Sequence, residues 1–463
     1  MSKNGALIDI EARGEQDEDI ITTNIDKTLF NYQWKKHTNF SRGSVNIDYK
    51  GSGNWGSSIK FQIPNNDGDL LTSVFFNVQV PRIGVDLLKN KTLDKSLYKV
   101  KWTDYLGNVI IEKIIFRING QIITEQSGTF IEIQTEFFDE DWSRKFMTGQ
   151  NDTLTTPSDE ILSEELFMPL KFWFTNDPDK ALPLKSLQRS HLEIEIKLRQ
   201  FDECYQVLKE ITDINNPNDT FYVYTKEKLR KINLDKLSME IIYVYLDAEE
   251  RLKLSNENIR QEILITQVQE RVLPITHDDK IDLNFNHPVK ELFFTLQSNE
   301  VRHDNELFNF SNKTNFIPSK YKNITHVDVK RFQQLPKYHL LDSARIIFNN
   351  IERISWKNYK YFFYLQNYEH FRVYPENYVY IFSFSMNPSS DNPTGSCNFS
   401  RLDSAELQFR KSNIPIKNIN SNTGNIQING SINIENPGII TVYAINYNIL
   451  VIENGIATLK FKI

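Results

Sequence analysis

The amino-acid sequence predicts an all-β protein built from antiparallel sandwiches or barrels. The chain of 463 residues carries 31 Phe and 20 Tyr against 5 Met and 17 Gly, and aromatic residues suit a pleated, half-buried surface. Apolar and polar residues alternate with the period of two that a strand produces. A parallel sheet would need a helix between most strands, and the pattern lacks those helices.

The clearest alternation lies in Val74–Val80 and His191–Leu198. In both segments every even-numbered residue is apolar, and in the second the residues between are Glu, Glu and Lys. One face of each predicted strand therefore meets a core, and in His191–Leu198 the other meets water. Tyr378–Met386 and Ile426–Ile434 repeat the arrangement, so strands are expected in both halves of the chain.

The sequence predicts fewer turns and helices than strands. Asn119-Gly120 and Asn454-Gly455 each separate two apolar runs, and Asn-Gly accepts the positive φ angles of a tight hairpin. The main helix is predicted over Asp247–Ile265, because Asp247 followed by Glu250 resembles a capping box. A short helix is predicted near Ser158–Leu166.

Charge and cysteine content exclude several classes of protein. The net charge is -6, and no basic block offers a surface for phosphates, so direct nucleic-acid binding is not expected. Cys204 and Cys397 are too few for a disulfide framework and fit no zinc pattern. Met1–Ile20 is polar, and no run of 18 apolar residues occurs, so the sequence predicts a soluble protein with reduced thiols, assembled where it is made.

Two motifs that suggest ligands are better explained as turns. Gly51–Gly56 matches the dinucleotide fingerprint G-x-G-x-x-G, but a strand pattern ending in Pro64 follows where the phosphate-binding helix should begin. Asn65, Asp67 and Asp69 suggest calcium, yet the glycine and terminal Glu of an EF-hand loop are missing.

The remaining chemistry-bearing residues form no site. The histidines at positions 37, 191, 277, 287, 303, 326, 339 and 370 have no metal-ligand spacing. Neither a nucleophile elbow nor a phosphate-binding loop occurs. We therefore predict no catalytic, cofactor-binding or metal-binding residues and no cofactor. The chain is expected not to be an enzyme.

A series of motifs in order along the chain resembles the major capsid proteins of nucleocytoplasmic large DNA viruses. The first half carries Gly5-Ala6-Leu7, Gly14–Asp17, Lys36–Phe40, Gly68–Leu71, Leu166–Phe174, Ala181–Leu184 and Leu187-Gln188. The second half carries Leu246-Asp247, Glu249–Arg251, His287–Leu292, Pro393–Asp403, Ala444–Leu450 and Gly455. The family often has Trp after the His287–Leu292 motif, where this chain has Phe293-Phe294.

The resemblance implies two tandem eight-stranded antiparallel jelly rolls, a double jelly roll with a few short helices in loops. The expected division is an N-terminal arm (1–24), a first jelly roll (25–205), a linker (206–236) and a second jelly roll (237–463). The polar run 206–236, with Asn215–Asp219, suggests the linker. His37 and His287 lie inside family motifs and are expected to pack or donate hydrogen bonds.

The implied function is that of a structural major capsid protein. It would form homotrimers that act as pseudo-hexagonal capsomers of an icosahedral shell, assembled in the host cytoplasm and located in the virion capsid. Implied partners are neighbouring capsomers and minor capsid and penton proteins, and an underlying inner membrane is a further possible partner. The resemblance implies no direct contact with nucleic acid.

Two other functions remain open. A transient scaffold of an immature virion would share the fold, and a glycan-binding attachment protein could use exposed aromatic residues such as Trp55 or Trp142. Pro393–Asp403 is expected to form a sharp connection in which Asn398, Ser400 and Asp403 bind backbone groups and Gly395 takes an unusual φ. The alternative for this segment is a subunit contact.

Overall fold

Strands dominate the structure, as the alternating pattern predicts. The computed structural model describes residues 36–138, 143–175, 177–212, 220–256, 260–275, 279–319, 324, 326–373, 375–390, 392–412, 418–419, 426–427 and 438–462, with 8, 10–12, 14–15, 22–24, 26, 28 and 30. Residues 1–40 and 41–463 are separate units, and all that follows concerns the second unit unless stated.

Between residues 40 and 246 the described part of the chain forms fifteen strands and four α-helices. The strands are β1 (Phe40–Ile47), β2 (Lys50–Gly51), β3 (Ser58–Ile63), β4 (Leu70–Val80), β5 (Ile83–Gly84), β6 (Tyr98–Trp102), β7 (Ile111–Ile118), β8 (Gln121–Ser127), β9 (Glu160–Ile161), β10 (Glu164–Pro169), β11 (Leu182–Pro183), β12 (Leu192–Leu198), β13 (Tyr205–Thr212), β14 (Thr220–Tyr224) and β15 (Lys236–Leu246). The helices are α1 (Leu106–Ile110), α2 (Gly128–Phe138), α3 (Ser143–Met147) and α4 (Asp152–Thr155).

The second half contains twelve strands among the described residues. They are β16 (Gln261–Pro274), β17 (Lys280–Asp282), β18 (Pro288–Gln297), β19 (Leu341–Phe348), β20 (Ile351–Asn358), β21 (Tyr380–Ser383), β22 (Cys397–Asn398), β23 (Ala405–Lys411), β24 (Asn418–Ile419), β25 (Ile426–Gln427), β26 (Ile439–Glu453) and β27 (Ile456–Leu459). The helices are α5 (Ala248–Leu254), α6 (Asn299–His303), α7 (His326–Gln333), a π-helical turn (Tyr361–Leu365) and α8 (Gln366–His370). Short 3-10 turns occur at Val85–Leu87, Lys95–Leu97, Pro178–Lys180, Leu184–Leu187, Phe201–Glu203 and Phe399–Arg401.

The main sheets form two sandwiches with the same strand order. In the first sandwich, one sheet has the order β1-β15-β4-β10. It faces a second sheet with the order β3-β12-β7-β8, to which β2 adds a further strand beside β3. In the second, β16-β26-β18-β21 and β17-β23-β19-β20 form the two sheets. If the eight strands of each sandwich are numbered along the chain, both read 1-8-3-6 and 2-7-4-5. This is the jelly-roll order, so the predicted pair of eight-stranded jelly rolls is confirmed.

The predicted strand faces and hairpins are also confirmed. The even-numbered residues of Val74–Val80 and of β12 are all buried. Asn119-Gly120 joins β7 to β8, and Asn454-Gly455 joins β26 to β27. All four turn residues have positive φ, between 52° and 80°, as a tight hairpin between twisted strands requires.

Both predicted helices differ from the structure. Asp247 caps a helix, but α5 ends at Leu254, and Ile263 and Ile265 lie in β16, which pairs with β26. Apolar residues at 263 and 265 have the spacing of a strand, and pairing with the distant β26 holds both in β16. Ser158–Leu166 contains β9 and the start of β10, and the neighbouring helix is α4.

The predicted boundary between the jelly rolls also needs correction. Residues 206–236 include most of β13 and all of β14, which form a three-stranded sheet with β6. β15 lies between β1 and β4 in the first jelly roll, although residues 237–246 were expected in the second. The linker was predicted from the local polarity of the sequence. The position of β15 in the first jelly roll depends instead on its pairing with β4, which lies far away in the sequence. The predicted arm (1–24) and residues 428–434 lie largely outside the described residues.

Apolar packing links the two jelly rolls. One continuous core contains Phe61 and Ile241 of the first jelly roll together with Phe293 and Tyr443 of the second. A second core fills the interior of the second jelly roll. A small third core joins Val223 of β14 to Ile317 and Phe332. Because the first core crosses the junction, separating the jelly rolls would expose apolar surface.

Candidate functional site: the junction between the jelly rolls

Helix α2 of the first jelly roll lies against one sheet of the second. The ring of Phe130 lies 5.1 Å from that of Tyr443 on β26, and the ring of Phe137 lies 5.4 Å from that of Phe293 on β18. Leu292 and Phe294, which flank Phe293 in the sequence, point to the opposite face of the sheet and belong to the core inside the second jelly roll. The outer face of this sheet therefore receives α2, while its inner face lines the sandwich.

The loop after α8 completes the contact. The ring of Phe371 lies 5.5 Å from that of Phe137 and 5.3 Å from that of Phe138. The buried Lys290 ammonium lies 5.4 Å from the centre of the Phe138 ring and 3.2 Å from the carboxylate of Glu291. Burial raises the pKa of Glu291, and the nearby Lys290 opposes that rise.

A carboxylate on α2 holds the same loop. Glu136 accepts hydrogen bonds from the backbone N–H of Asn377 (2.7 Å) and from its side-chain Nδ2 (3.0 Å). Burial raises the pKa of Glu136 to about 7, although both bonds from Asn377 favour the ionised form. The backbone N–H of the neighbouring Glu376 lowers this pKa, while its carboxylate raises it and forms an ion pair with Lys145 at 2.7 Å. A group that titrates near neutral pH thus bridges the two jelly rolls.

A second bridge spans the connection between the jelly rolls. Asp69, whose side chain is 1% exposed, accepts hydrogen bonds from Nε (3.1 Å) and Nη2 (3.0 Å) of Arg251 on α5. Asp69 also accepts from the backbone N–H of Leu246 (2.8 Å). Two family motifs, Gly68–Leu71 and Glu249–Arg251, therefore meet in space. The bond network holds α5 against the first jelly roll.

Two further motifs meet at one end of the second jelly roll. The backbone N–H of His287 donates to Oγ of Ser400 (2.8 Å), and that of Phe399 donates to the carbonyl oxygen of His287 (3.1 Å). Within Pro393–Asp403, Asn398 accepts from the backbone N–H of Ser400 (3.1 Å). His287 is buried, which lowers its pKa. The segment is a hydrogen-bonded connection, as expected.

Gly395 and Asp403 complete this connection. Gly395 has a φ of 143°, and a Cβ there would lie 2.6 Å from the carbonyl oxygen of Phe384. Only glycine suits this backbone. The backbone N–H of Asp403 donates to Oδ1 of Asn349 at 2.9 Å, so Asp403 is anchored through its main chain and not through the expected side-chain bond.

The other motif residues are structural. Gly51–Gly56 connects β2 to β3, as expected of a turn. Asn65 donates from Nδ2 to the carbonyl oxygens of Leu187 and Ser190. His37 lies in the N-terminal unit, where its Nδ1 is 2.7 Å from the carbonyl oxygen of Thr38.

The structure places Trp55 in the core and leaves both cysteines as free thiols. Trp55 is buried beside Trp102 and Phe201, so it is not the exposed sugar platform that was considered, and Trp142 lies outside the described residues. Cys204 and Cys397 are free thiols, the first buried. Over the described ranges, His, Cys, Asp and Glu form no cluster suited to a metal, and no helix could span a bilayer.

Sequence reasoning missed the residues of the junction. Phe130 and Phe137 occur seven residues apart, which is a helical repeat, but the short helix follows a strand without a separating turn signal. Glu136 and Asn377 carry no motif, and their contact joins positions 241 residues apart. The pattern around Phe130 could have indicated a helix, whereas nothing local indicated its partner.

The comparisons with known proteins agree with this architecture. Residues 28–247 match a family model described as "Major capsid protein N-terminus", and residues 250–458 match one described as "Large eukaryotic DNA virus major capsid protein". With two jelly rolls in tandem, these matches define a double jelly-roll protein of viral capsids. The chain belongs to the family of major capsid proteins of large eukaryotic DNA viruses.

Individual relatives span the whole chain. The major capsid protein of Phaeocystis pouchetii virus is 24% identical, with 99% of both chains covered. That of Paramecium bursaria Chlorella virus 1 is 25% identical, again with 99% of both covered. A quasi-atomic model of the PBCV-1 virus capsid matches with a TM-score of 0.72 and 23% identity, covering 94% of this chain and 100% of that one. The Faustovirus major capsid protein matches with a TM-score of 0.69 and 14% identity, covering 97% and 96%.

Proposed function

We propose that this capsid protein forms homotrimers that act as pseudo-hexagonal capsomers of an icosahedral shell. The observation that carries the proposal is the repeated strand order, 1-8-3-6 and 2-7-4-5, in both halves of one chain. Three chains related by a threefold axis then present six similar sandwiches around that axis. A six-cornered block of this kind can tile a flat facet.

The junction between the jelly rolls supports this function. Because a common core spans the junction and Glu136 binds Asn377 across it, each chain offers two sandwiches in a fixed arrangement. The fixed arrangement of the two sandwiches lowers the entropic cost of assembly. On this proposal the chain acts by assembly and not by catalysis.

The domain boundaries follow from strand pairing. We propose that the first jelly roll ends with β15 at Leu246 and that the second begins with β16 at Gln261, with α5 in the connection. The matched ranges of the two family models, 28–247 and 250–458, support this division. The arm (1–24) keeps its predicted place before the first jelly roll.

The proposed partners follow from the shell. Neighbouring capsomers, minor capsid proteins and penton proteins would contact the trimer, and an inner membrane would lie beneath it. The net charge of -6 supports the absence of direct contact with nucleic acid. Assembly would take place in the host cytoplasm.

The mass of the assembled particle tests the proposal. We expect native mass spectrometry of the full chain at micromolar concentration to give three times the mass of one chain, 54.4 kDa. Electron micrographs should show blocks with six-cornered outlines. A stable monomer would contradict the proposal. In mature virions the chain should be among the most abundant proteins, whereas a transient scaffold would be nearly absent.

A further inference from the structure

The insertion between β18 and β19 is basic, although the protein as a whole is acidic. Residues 313–337 contain six basic residues and one acidic residue, Asp328, in a chain whose net charge is -6. The basic residues are spread along the insertion, so no continuous basic run marks them in the sequence. They are Lys313, Lys320, Lys322, Lys330, Arg331 and Lys337. Positive charge concentrated in one short segment attracts anionic ligands.

The fold brings the two ends of this segment together. The Lys313 ammonium donates hydrogen bonds to the carbonyl oxygens of Leu335 (2.7 Å) and Gln333 (3.3 Å). It also lies 4.7 Å from the centre of the Phe332 ring. Burial lowers the pKa of Lys313, and the nearby charge of Lys337 lowers it further. Lys313 and Lys337 are therefore neighbours in space, although they lie at opposite ends of the segment.

The acidic side chains of this region point inward. Asp304, Glu306 and Asp328 are 8%, 5% and 1% exposed. Glu306 accepts a hydrogen bond from the backbone N–H of Asn315 at 2.6 Å, and Asp304 accepts one from Oγ of Ser319 at 2.7 Å. Because these carboxylates are buried, a ligand at the surface of the insertion contacts lysines and not carboxylates.

Two of the lysines keep hydrogen-bond donors for a ligand. An ammonium group has three donors. Lys313 uses two of them on backbone carbonyls, and the exposed Lys337 uses one on Oδ1 of Asn315 at 2.8 Å. Over the described ranges neither of these two lysines forms an ion pair. Lys330 lies one turn of α7 before Gln333, whose carbonyl oxygen Lys313 contacts.

An exposed aromatic ring lies next to these lysines. Tyr338, which follows Lys337, is 46% exposed, and its backbone N–H donates to Oδ1 of Asn312 at 2.8 Å. In the part of the chain that the structure describes, no other ring packs against it. The amides of Gln333 and Gln334 are also exposed. We call Lys313, Lys330, Lys337 and Tyr338 the basic patch.

The composition of the basic patch favours a charged polysaccharide over other polyanions. A membrane is bound through apolar side chains that enter the lipid, whereas this surface presents ammonium groups, amides and a phenol. A DNA duplex is stiff and would extend past so small a patch to the rest of an acidic protein. A flexible chain of sugar rings can place its charges on the lysines alone, and an exposed aromatic ring can stack on a sugar ring.

We propose that the basic patch binds an anionic polysaccharide, a flexible chain of sugar rings that carry sulfate or carboxylate groups. The ammonium groups of Lys313, Lys330 and Lys337 bind the anionic groups, and the ring of Tyr338 stacks on one sugar. The exposed amides of the same insertion donate hydrogen bonds to sugar hydroxyls. This binding function adds to the structural one and does not depend on the proposed trimer.

Binding of a sulfated oligosaccharide to the full chain tests the proposal. The probe is a heparin decasaccharide, and titration calorimetry at several salt concentrations measures its dissociation constant. We expect Lys330→Gln with Lys337→Gln to raise the dissociation constant at least about 10-fold and to reduce the slope of log K against log salt by about 1–2. Tyr338→Ala should raise the dissociation constant about fivefold without changing this slope, because it removes a stacking ring and no charge.

The matched control removes the same two charges from another part of the chain. It is Lys50→Gln with Lys236→Gln, at exposed positions on β2 and β15. The Lys50 ammonium donates to a neutral amide oxygen, that of Gln62 at 3.0 Å, as the Lys337 ammonium does to Asn315. The control should bind the decasaccharide like the unaltered chain. Circular dichroism and thermal unfolding verify the fold of each variant.

Three outcomes overturn the proposal. The first is an unaltered chain that fails to bind the decasaccharide at low salt, and the second is an equal loss of binding in the control and in the lysine variant. The third is tighter binding of a single-stranded DNA oligonucleotide or of phosphatidylserine vesicles than of the decasaccharide. Each of these results leaves the proposed trimer intact, because the inference concerns a surface of a single chain.

Discussion

Arg251 and Asp69 join the start of α5 to the turn before β4 through a guanidinium–carboxylate contact at 3.0 Å. Asp69 is buried, while Arg251 is half exposed. The contact joins two segments 182 residues apart, one just before the third strand of the first jelly roll and one in the helix after its last strand. It sets where the connection to the second jelly roll leaves the first.

Asp69→Ala should destabilise the protein. The substitution leaves the Leu246 N–H without its acceptor and takes the carboxylate away from Arg251, whose Nη2 keeps only the Leu246 carbonyl oxygen. We expect the free energy of unfolding to fall by about 2–4 kcal/mol. Urea unfolding followed by circular dichroism measures it. Lys60→Ala is the control, because the ion pair between Lys60 and Glu193 is exposed and its loss should cost at most about 1 kcal/mol. Equal effects of the two substitutions would contradict the role given to Asp69.

Glu136 should make stability depend on pH. Its folded pKa of about 7 lies above the ordinary value of 4.5, so folding favours the protonated form. The stability from this group is complete below pH 4.5, decreases as pH rises toward 7, and is absent above pH 7. Between pH 5 and pH 8 the unaltered protein should lose up to about 3 kcal/mol more than Glu136→Gln. Tyr105, Asn377 and Glu376, which face Glu136, are unchanged in this comparison. Parallel pH profiles for the two proteins would refute the assignment.

Gly395→Ala should be more harmful than Gly120→Ala. Both glycines have positive φ, but an added Cβ at Gly395 meets the Phe384 carbonyl at 2.6 Å, whereas nothing lies within 4 Å at Gly120. We expect a loss of about 1 kcal/mol at Gly120 from the backbone alone and at least about 2 kcal/mol at Gly395. Denaturant unfolding of both variants measures the difference. Similar losses would show that the connection around Gly395 can relax.

The two thiols should differ in reactivity. Burial raises the pKa of both, and Cys204 is fully buried while Cys397 is half-buried. Because the thiolate is the reactive form, a maleimide should modify Cys397 first and Cys204 only after unfolding. Mass spectrometry of the peptides that contain each cysteine follows the two rates. Early labelling of Cys204 in the folded protein would contradict its burial.

Local patterns predicted much of the fold. Val74–Val80 and β12 are strands because alternating side chains pack one face of a sheet, and the hairpins at Asn119-Gly120 and Asn454-Gly455 follow from the φ angles that these residues accept. The helix prediction extended wrongly to Ile263 and Ile265, whose spacing of two residues is that of a strand. Pairing with the distant β26 holds both in β16.

The sequence by itself determined the strands, the turns and, through an ordered series of motifs, the family. Only the tertiary structure decided that β15 belongs to the first jelly roll, that Asp69 meets Arg251, and that α2 packs on β18 and β26. The physical reason is the sequence distance over which each effect acts. Periodicity and turn preference act over a few residues, whereas strand order and burial depend on contacts between segments hundreds of residues apart.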